Sequence, residues 1–383
     1  MKKTPLLLLL LILGTSSLFA GFGYRLDLLS FDPLYTEYQA DKYRTGMSFD
    51  YAYVAHGFPD YVYQDWRQAN QVGDKNNDAM VFELNRKLTQ EPFVGILNIG
   101  ETLSLLRHTF SFDAWLSPIS IDFSTQGMIS FIMDGQVADN IGFDGAYFFG
   151  TTIRAADRFS LRAGFHHYCS HYGDAILKRI DNHADPEWLS DADPEWLSDL
   201  DKFWITYKYV RMNGIAIGIS VDPVTWLRVY GEYNFLPKNI KSWRPVIFRP
   251  NWTDLTPHNN YPDEYGARII NFGFELEYPI FRKWGNTIFA YDCHLYEEGK
   301  IMYRDVHGKP DSSMTPVYDP GAPWEMEHSF LLAQEINDSV SFECGYRHGR
   351  FPSNSFYYQR SSYFFLGARF NPNPTVNLIN TEK

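Results

Sequence analysis

The chain concentrates its reactive side chains in one run, Phe165-His166-His167-Tyr168-Cys169-Ser170-His171-Tyr172-Gly173-Asp174. Imidazoles, a thiol, a hydroxyl and a carboxylate this close together could support nucleophilic or general acid–base chemistry, or hold a metal. If the run is a β-strand, alternate side chains point to opposite faces. His167 and Cys169 then share the face of Phe159, Leu161, Ala163 and Phe165, whereas His166, Tyr168 and Ser170 share the other. A His and a Cys two positions apart on one face project side by side, so the imidazole can take the thiol proton and leave the thiolate that attacks esters. Asn213, on the apolar face of Ile215, Ile217 and Ile219, is the candidate third member that orients the imidazole. Ser170 is not equivalent to Cys169, because it faces the other way. Two further readings stay open. The run can be part of an interfacial belt of His and Tyr, with the motif residues His171, Gly173 and Asp174 tying down a loop. It can also be a metal site built from His166, His167, His171 and Asp174, although strand geometry splits these between two faces. No cofactor is implied, and the identity of any metal is unknown.

The elements that would position these residues announce themselves by period-two alternation. Residues 158–171 set Phe159, Leu161, Ala163 and Phe165 against Arg158, Ser160, Arg162 and Gly164; residues 225–235 and 269–278 repeat the pattern. Each alternating run reads as a strand, which predicts strands at 46–55, 93–107, 110–132, 140–153, 158–172, 203–220, 225–236, 268–278, 286–297, 324–336, 339–349 and 357–370. Every second connection is short, as at 107–110, 155–158, 221–224, 279–285 and 337–339. The others are mostly long, at 56–92, 173–202, 237–267 and 298–323. Short turns alternating with long loops is the rule for transmembrane β-barrels, with the short turns in the periplasm. The fold expected is all-β: a single antiparallel transmembrane β-barrel of about twelve strands in the outer membrane. Two local features resist the pattern. Parity switches at Pro118, where a bulge is expected, and Glu101 shares a face with Leu97, Ile99, Leu103 and Leu105, where a carboxylate has no evident reason to be.

Composition and the N-terminus agree with export. Lys2 and Lys3, an apolar run from Leu6 to Leu13, small residues from Gly14 to Ser17 and Ala20 form a signal peptide over 1–20. No Cys follows it to carry a lipid anchor, and no later stretch is long and apolar enough to span a bilayer as a helix. The expected division is signal peptide 1–20, periplasmic N-terminal segment 21–45, barrel 46–370 and polar tail 371–383. A net charge of −12 argues against nucleic acid as a partner. Aromatic residues make up 17% of the chain although mean hydropathy is −0.32, which suits a barrel whose alternate residues meet lipid. The expected partners are outer-membrane lipids and, during biogenesis, the barrel assembly machinery; oligomeric state is unknown. Three cysteines, an odd number, leave at least one thiol free. Cys293 and Cys344 fall on strands separated by a third and are read as unable to reach each other.

The face opposite the lipid is mixed in sign. Arg162, Lys208, Arg228 and Arg347 oppose Glu232, Glu275, Glu277, Asp292, Glu325, Glu327 and Glu343, with His166 and Ser170 also turned inward. Twelve strands enclose a narrow lumen, and interspersed charges of both signs would pair across it. That favours a filled barrel, while the excess of acid keeps a narrow cation-preferring channel open as an alternative. One repeat stands out: residues 184–191 recur unchanged as 192–199 in an acid-rich stretch read as a solvated outer loop, with a cation site as the weaker reading.

Two resemblances add to this reading. A His-x-nucleophile pair on the outer wall of a barrel strand resembles the arrangement of outer-membrane phospholipase A and lipid A deacylase, which implies hydrolysis of lipid esters in the membrane plane. In this chain the nucleophile position holds Cys169. More extensively, Phe31, Pro33 and Leu34, Gly100-Glu101, His167 to Asp174, Gly214 to Tyr233 and Gly345 to Phe370 resemble a bacterial outer-membrane family catalogued as domain of unknown function 1207, with Cys169 and Ala175 where that pattern has Ser and Glu. That resemblance implies the fold and no activity. The function expected is that of an outer-membrane barrel with a mainly structural or surface role, with a lipid ester hydrolase and a narrow channel as alternatives.

Overall fold

A computed structural model of the chain describes residues 22–59, 61–64, 80–83, 92–136, 138–173, 209–235, 268–281, 283–296, 301–302, 317–318, 324–337, 339–354, 360–370 and 379–382. The signal peptide, Asp174, Lys208 and the duplicated acidic segment lie outside the described residues. In chain order the strands are β1 (Gly23–Ser30), β2 (Gly46–His56), β3 (Tyr61–Gln64), β4 (Met80–Glu83), β5 (Phe93–Ser111), β6 (Ile119–Asp134), β7 (Asn140–Ala155), β8 (Phe159–Tyr172) and β9 (Tyr209–Val224). There follow β10 (Leu227–Phe235), β11 (Arg268–Tyr278), β12 (Thr287–Tyr296), β13 (Ile301–Met302), β14 (Val317–Tyr318), β15 (Glu325–Asn337), β16 (Val340–Arg350), β17 (Arg360–Phe370) and β18 (Ile379–Glu382).

Strands β2, β5–β12 and β15–β17 close into a twelve-strand antiparallel barrel. The ring is completed where β2 pairs with both β17 and β5, and β5 with β6. Closure follows from alternation: a sheet with one lipid-facing side cannot leave an edge of unpaired N–H and C=O groups in hydrocarbon. The barrel is inside-out relative to a water-soluble protein. Phe159 and Leu161 are 44% and 45% exposed, whereas Ser160 and Arg162, which alternate with them, are each 7% exposed. The apolar face of β8 therefore points outward, as the alternation predicts.

The wall departs from the sequence reading at its first strand. Along one edge of β5, Gly46–Tyr53 of β2 pair with residues 93–100, and Gly23–Ser30 of β1 pair with residues 104–111. β1 and β2 are thus two halves of one wall strand, and residues 31–45 leave the wall between them. Leu29 takes a φ of 55° at the exit and Gly46 a φ of 105° at the return, a left-handed conformation that favours glycine. Of the segment 21–45, expected as a periplasmic extension, residues 23–45 instead supply half of a wall strand and a lumen insert. The tail joins too, since β18 pairs with β1 below the ring. This split explains Glu101. It is exposed in the gap between the two half-strands, and its carboxylate accepts the Thr102 amide at 2.9 Å, next to the interval where β5 has no ladder partner on that edge. Pairing with β1 also carries β5 to Ser111, past the turn expected at 107–110. Pro118 lies before β6 rather than within it, because proline has no N–H for the ladder. The change of parity across Pro118 is therefore a change of strand rather than a bulge, and a separate bulge lies within β5 between Ser104 and Leu106.

The excursion fills the lumen. Tyr35 and Tyr38 join hydroxyls at 2.6 Å, Tyr38 stacks on Tyr230 with centroids 3.9 Å apart, and the Arg162 guanidinium lies 4.5 Å over the Tyr35 ring. Wall side chains bind its backbone: Ser160 donates to the Leu34 carbonyl, Ser329 to Ala40, and Glu275 accepts the Gln39 amide at 2.6 Å. From the outer end, Phe351 to Asn354 fold in after β16, and Asn354 receives Lys42 at 3.0 Å. Gly218 is the wall position that makes room, since a Cβ there would lie 2.7 Å from the Tyr35 hydroxyl and 2.9 Å from Glu232. Gly218→Leu is accordingly expected to displace the insert. Trypsin should then cut the folded variant at Lys42 or Arg44, bonds that stay intact in the folded parent, and equal protection of both proteins would contradict the placement of 31–45.

Candidate functional site

The outer end of β8 carries the reactive run. His167 and Asn213 face each other across β8 and β9, with Nδ1 and Oδ1 2.6 Å apart. A carbonyl oxygen can only accept, so Nδ1 carries the proton and Nε2 keeps its lone pair. The ring is further held by stacking on Tyr147 of β7, with centroids 4.4 Å apart and planes within 22°. Cys169 occupies the next outward position and is half-buried. Its partner on β7 is Gly145, where a Cβ would sit 2.9 Å from the sulfur, so the missing side chain is what accommodates Sγ. Rising about 3.3 Å per residue at a tilt of about 40°, the strand climbs about 25 Å between Phe159 and Cys169, the height of the apolar band. The group therefore sits at the outer edge of that band. It places the His167 imidazole and the Cys169 thiol on the same outward face.

The neighbouring residues divide as strand geometry demands. Ser170 points inward and donates to Asp144 at 2.5 Å; His166 points inward and its Nδ1 lies 2.5 Å from the Asn234 amide. His171 stacks on Phe143 at 4.5 Å, and the Gly173 amide closes on the Ile141 carbonyl at 2.7 Å. The two faces keep His166 apart from His167 and His171, and among the described residues no three His, Cys, Asp or Glu side chains converge to hold a metal.

Many of the inward charges are paired, some across the wall and some through the insert, while buried oxygens of Asp50 and Asp122 have no hydrogen-bond partner among the described residues. Glu232 takes Arg162 at 2.5 Å, and Arg228 bridges Glu275 and the Glu37 carbonyl at 3.2 and 2.8 Å. Glu343 binds Arg44 of the insert at 2.5 Å and Arg369 of β17 at 3.0 Å; Glu327 binds Lys42 at 3.4 Å and the Arg350 amide at 3.0 Å. Arg347 donates to Ser329 at 3.0 Å, and Asp292 meets His294 at 3.1 Å. Glu277 is exposed at the periplasmic rim beside Asn286, and the side chain of Glu325 lies outside the described residues. Below the insert a cavity of about 430 Å³ opens between the periplasmic turns, and Thr36 and Gln39 of the insert line it. The sequence reading missed the residues that fill the lumen: Tyr35, Tyr38, Lys42, Arg44 and Phe351 to Asn354. The available signal was the dense mixture of Tyr, Lys and Arg in 31–45 without alternation, a composition that lipid would not tolerate in a strand but a polar lumen would. All three cysteines are free, and β15 lies between the strands of Cys293 and Cys344.

A closed antiparallel barrel with exposed apolar walls and a paired, polar interior defines an outer-membrane β-barrel, surrounded by the lipids of that membrane. No family model and no curated protein matches the chain. Among solved structures, it is similar to the NanC porin, with a TM-score of 0.34 and 8% identity over 85% of this chain and 99% of that one. It is also similar to outer membrane phospholipase A from Escherichia coli, with a TM-score of 0.37 and 9% identity over 86% and 93% of the two chains. A third is the Pseudomonas putida toluene transporter TodX, with a TM-score of 0.31 and 9% identity over 91% and 88%.

Two guanidinium groups, those of Arg44 and Arg369, converge on the buried Glu343 carboxylate. Its replacement by Ala would strand both Arg44 and Arg369 in the interior. Breaking such a buried group typically costs about 3–5 kcal/mol. Glu343→Ala is expected to lower the urea midpoint of the folded barrel by a corresponding amount, read from the mobility of unheated samples, and a midpoint equal to the parent's would refute the pairing.

Proposed function

We propose that this outer-membrane barrel acts at its lipid-facing surface, hydrolysing acyl esters of outer-leaflet lipids with His167 as base, Cys169 as nucleophile and Asn213 as orienting residue. The observation that carries the reading is the 2.6 Å contact between His167 Nδ1 and Asn213 Oδ1 on the outward wall. That contact directs the unprotonated Nε2 away from β9, on the face that Cys169 shares. In the reaction Nε2 takes the thiol proton and sulfur attacks the acyl carbonyl carbon. The ester C–O bond breaks, and the imidazolium returns its proton to the departing alkoxide. A water molecule, deprotonated by the same nitrogen, then attacks the thioester carbonyl, releasing the fatty acid and the thiol. The resemblance to domain of unknown function 1207 is compatible with this chemistry and adds no activity of its own.

The test is lipid ester cleavage by the purified protein in mixed micelles. Cys169→Ala and His167→Ala are each expected to abolish it. Asn213→Ala should lower it by about 10²-fold or less, as for loss of a residue acting through the base, Cys169→Ser should retain part of it, and Ser170→Ala should leave it largely intact. No cleavage by the parent, or equal cleavage by all variants, would return the cluster to a structural role in the interfacial belt.

The competing reading is a narrow cation channel, motivated by the acid-weighted lumen. The occupied interior opposes it, since residues 31–45 pair with the inward charges along the path an ion would take. Reconstituted into planar bilayers, the parent is expected to be electrically silent, and steady cation-selective conductance would overturn this view of the lumen.

A further inference from the structure

Half-way round the ring from β8, the outer ends of β15, β16, β17 and β2 carry a second polar group on the outward face. His328, His348, Ser362 and His56 form one cross-strand row, with Arg360 at the outer start of β17. His348 Nδ1 lies 2.7 Å from the Ser362 hydroxyl, and Arg360 Nη2 lies 3.4 Å from His348 Nε2. The second arm of the guanidinium donates to the Met326 carbonyl at 2.9 Å, which draws Arg360 across β16. Beside it, the Tyr291 hydroxyl lies 2.9 Å from His328 Nδ1.

A bonded Ser and His invite a second hydrolytic reading, and the guanidinium excludes it. Arg can only donate, so Nε2 of His348 is the acceptor and Nδ1 carries the proton. The imidazole therefore gives a hydrogen bond to Ser362 and cannot take its proton. Ser362 in turn keeps its own O–H to donate outward. The group presents hydrogen-bond donors and positive charge, with no base directed at a nucleophile.

Its surroundings identify the counterpart. Below the row the outward positions are Phe330, Leu332, Phe342, Phe364 and Leu366, all exposed. Glu327, beside His328 in sequence, is turned inward onto Lys42. From Val340 to His348 the strand rises about 20 Å, which sets the row near the outer edge of the apolar band. A donor cluster above a greasy wall is complementary to a phosphate with acyl chains beneath it.

We propose that Arg360, His348 and Ser362, flanked by His328 and His56, bind the phosphate of an anionic lipid headgroup in the outer leaflet. The inference stands apart from the hydrolytic reading, since it uses other strands and no covalent step.

Native mass spectrometry of the full-length protein in neutral detergent tests it, with phosphatidic acid as probe, phosphatidylcholine as control and inorganic phosphate as competitor. The parent is expected to retain phosphatidic acid at concentrations where phosphatidylcholine is lost. Arg360→Ala should weaken retention by about tenfold, the scale of one charge-assisted hydrogen bond, Ser362→Ala should weaken it less, and Arg360→Lys should keep part of it. Arg268→Ala, a basic side chain at the outer rim of β11 that lies over Trp324, should change nothing, which separates a built site from general charge attraction. Reduced mobility shifts on heating verify that each variant is folded; should Arg360→Ala fail to fold, Ser362→Ala and Arg360→Lys carry the same comparison. Equal retention of both lipids, or of phosphatidic acid by parent and variants, overturns the proposal. Complete displacement by millimolar inorganic phosphate overturns its lipid part and assigns the group to soluble phosphate.

Discussion

A barrel in lipid turns its polar side chains inward, and each charge taken from water costs several kcal/mol unless a partner meets it. In this protein the N-terminal segment supplies much of that partnership. Arg162 and Glu232 close on each other, but Glu343, Glu327 and Glu275 find Arg44, Lys42 and the Gln39 amide on residues 31–45. The lumen is narrow, the insert is polar, and each satisfies the other. The rest of the architecture follows from keeping that segment in place.

The split of the first wall strand is the device that does so. A chain that crossed the membrane in one continuous strand would have no free segment to place inside. By pairing β1 low on β5 and β2 high on the same edge, the chain holds both ends of the insert in the wall itself. The local consequence is an interval on β5 without a ladder partner, and Glu101 answers it by capping the Thr102 amide. At the outer end Asn354 ties the insert to the wall a second time. It accepts from Lys42, while its amide donates to Asp144, which also receives Ser170. Ser170, part of the reactive run in sequence, is thereby absorbed into the interior lattice.

A filled interior moves the interesting chemistry to the outer wall. There two imidazole groups differ in a way that a single bond decides. His167 meets a carbonyl oxygen through Nδ1 and is left with a basic Nε2. His348 meets a guanidinium through Nε2 and is left with a donating Nδ1. The same side chain at the same depth thus meets an acceptor on one side of the barrel and a donor on the other.

Much of the wall was legible in the sequence. Alternation located all twelve ring strands, although β6 begins at Ile119 rather than at 110, because lipid on one face and polar contacts on the other impose a period of two on every strand. The same parity rule separated His167 and Cys169 from His166 and Ser170, and put Asn213 on the outward face. What the sequence could not decide was anything that depends on which strand meets which at what height. The direct pairing of His167 with Asn213, the cross-strand row from His328 to His56, the division of one strand into β1 and β2, and the passage of residues 31–45 through the lumen all arise from register between segments far apart in the chain. Local pattern carries no term for such contacts. Cross-strand hydrogen bonds and the pairing of buried charges select them, and both exist only once the ring has closed.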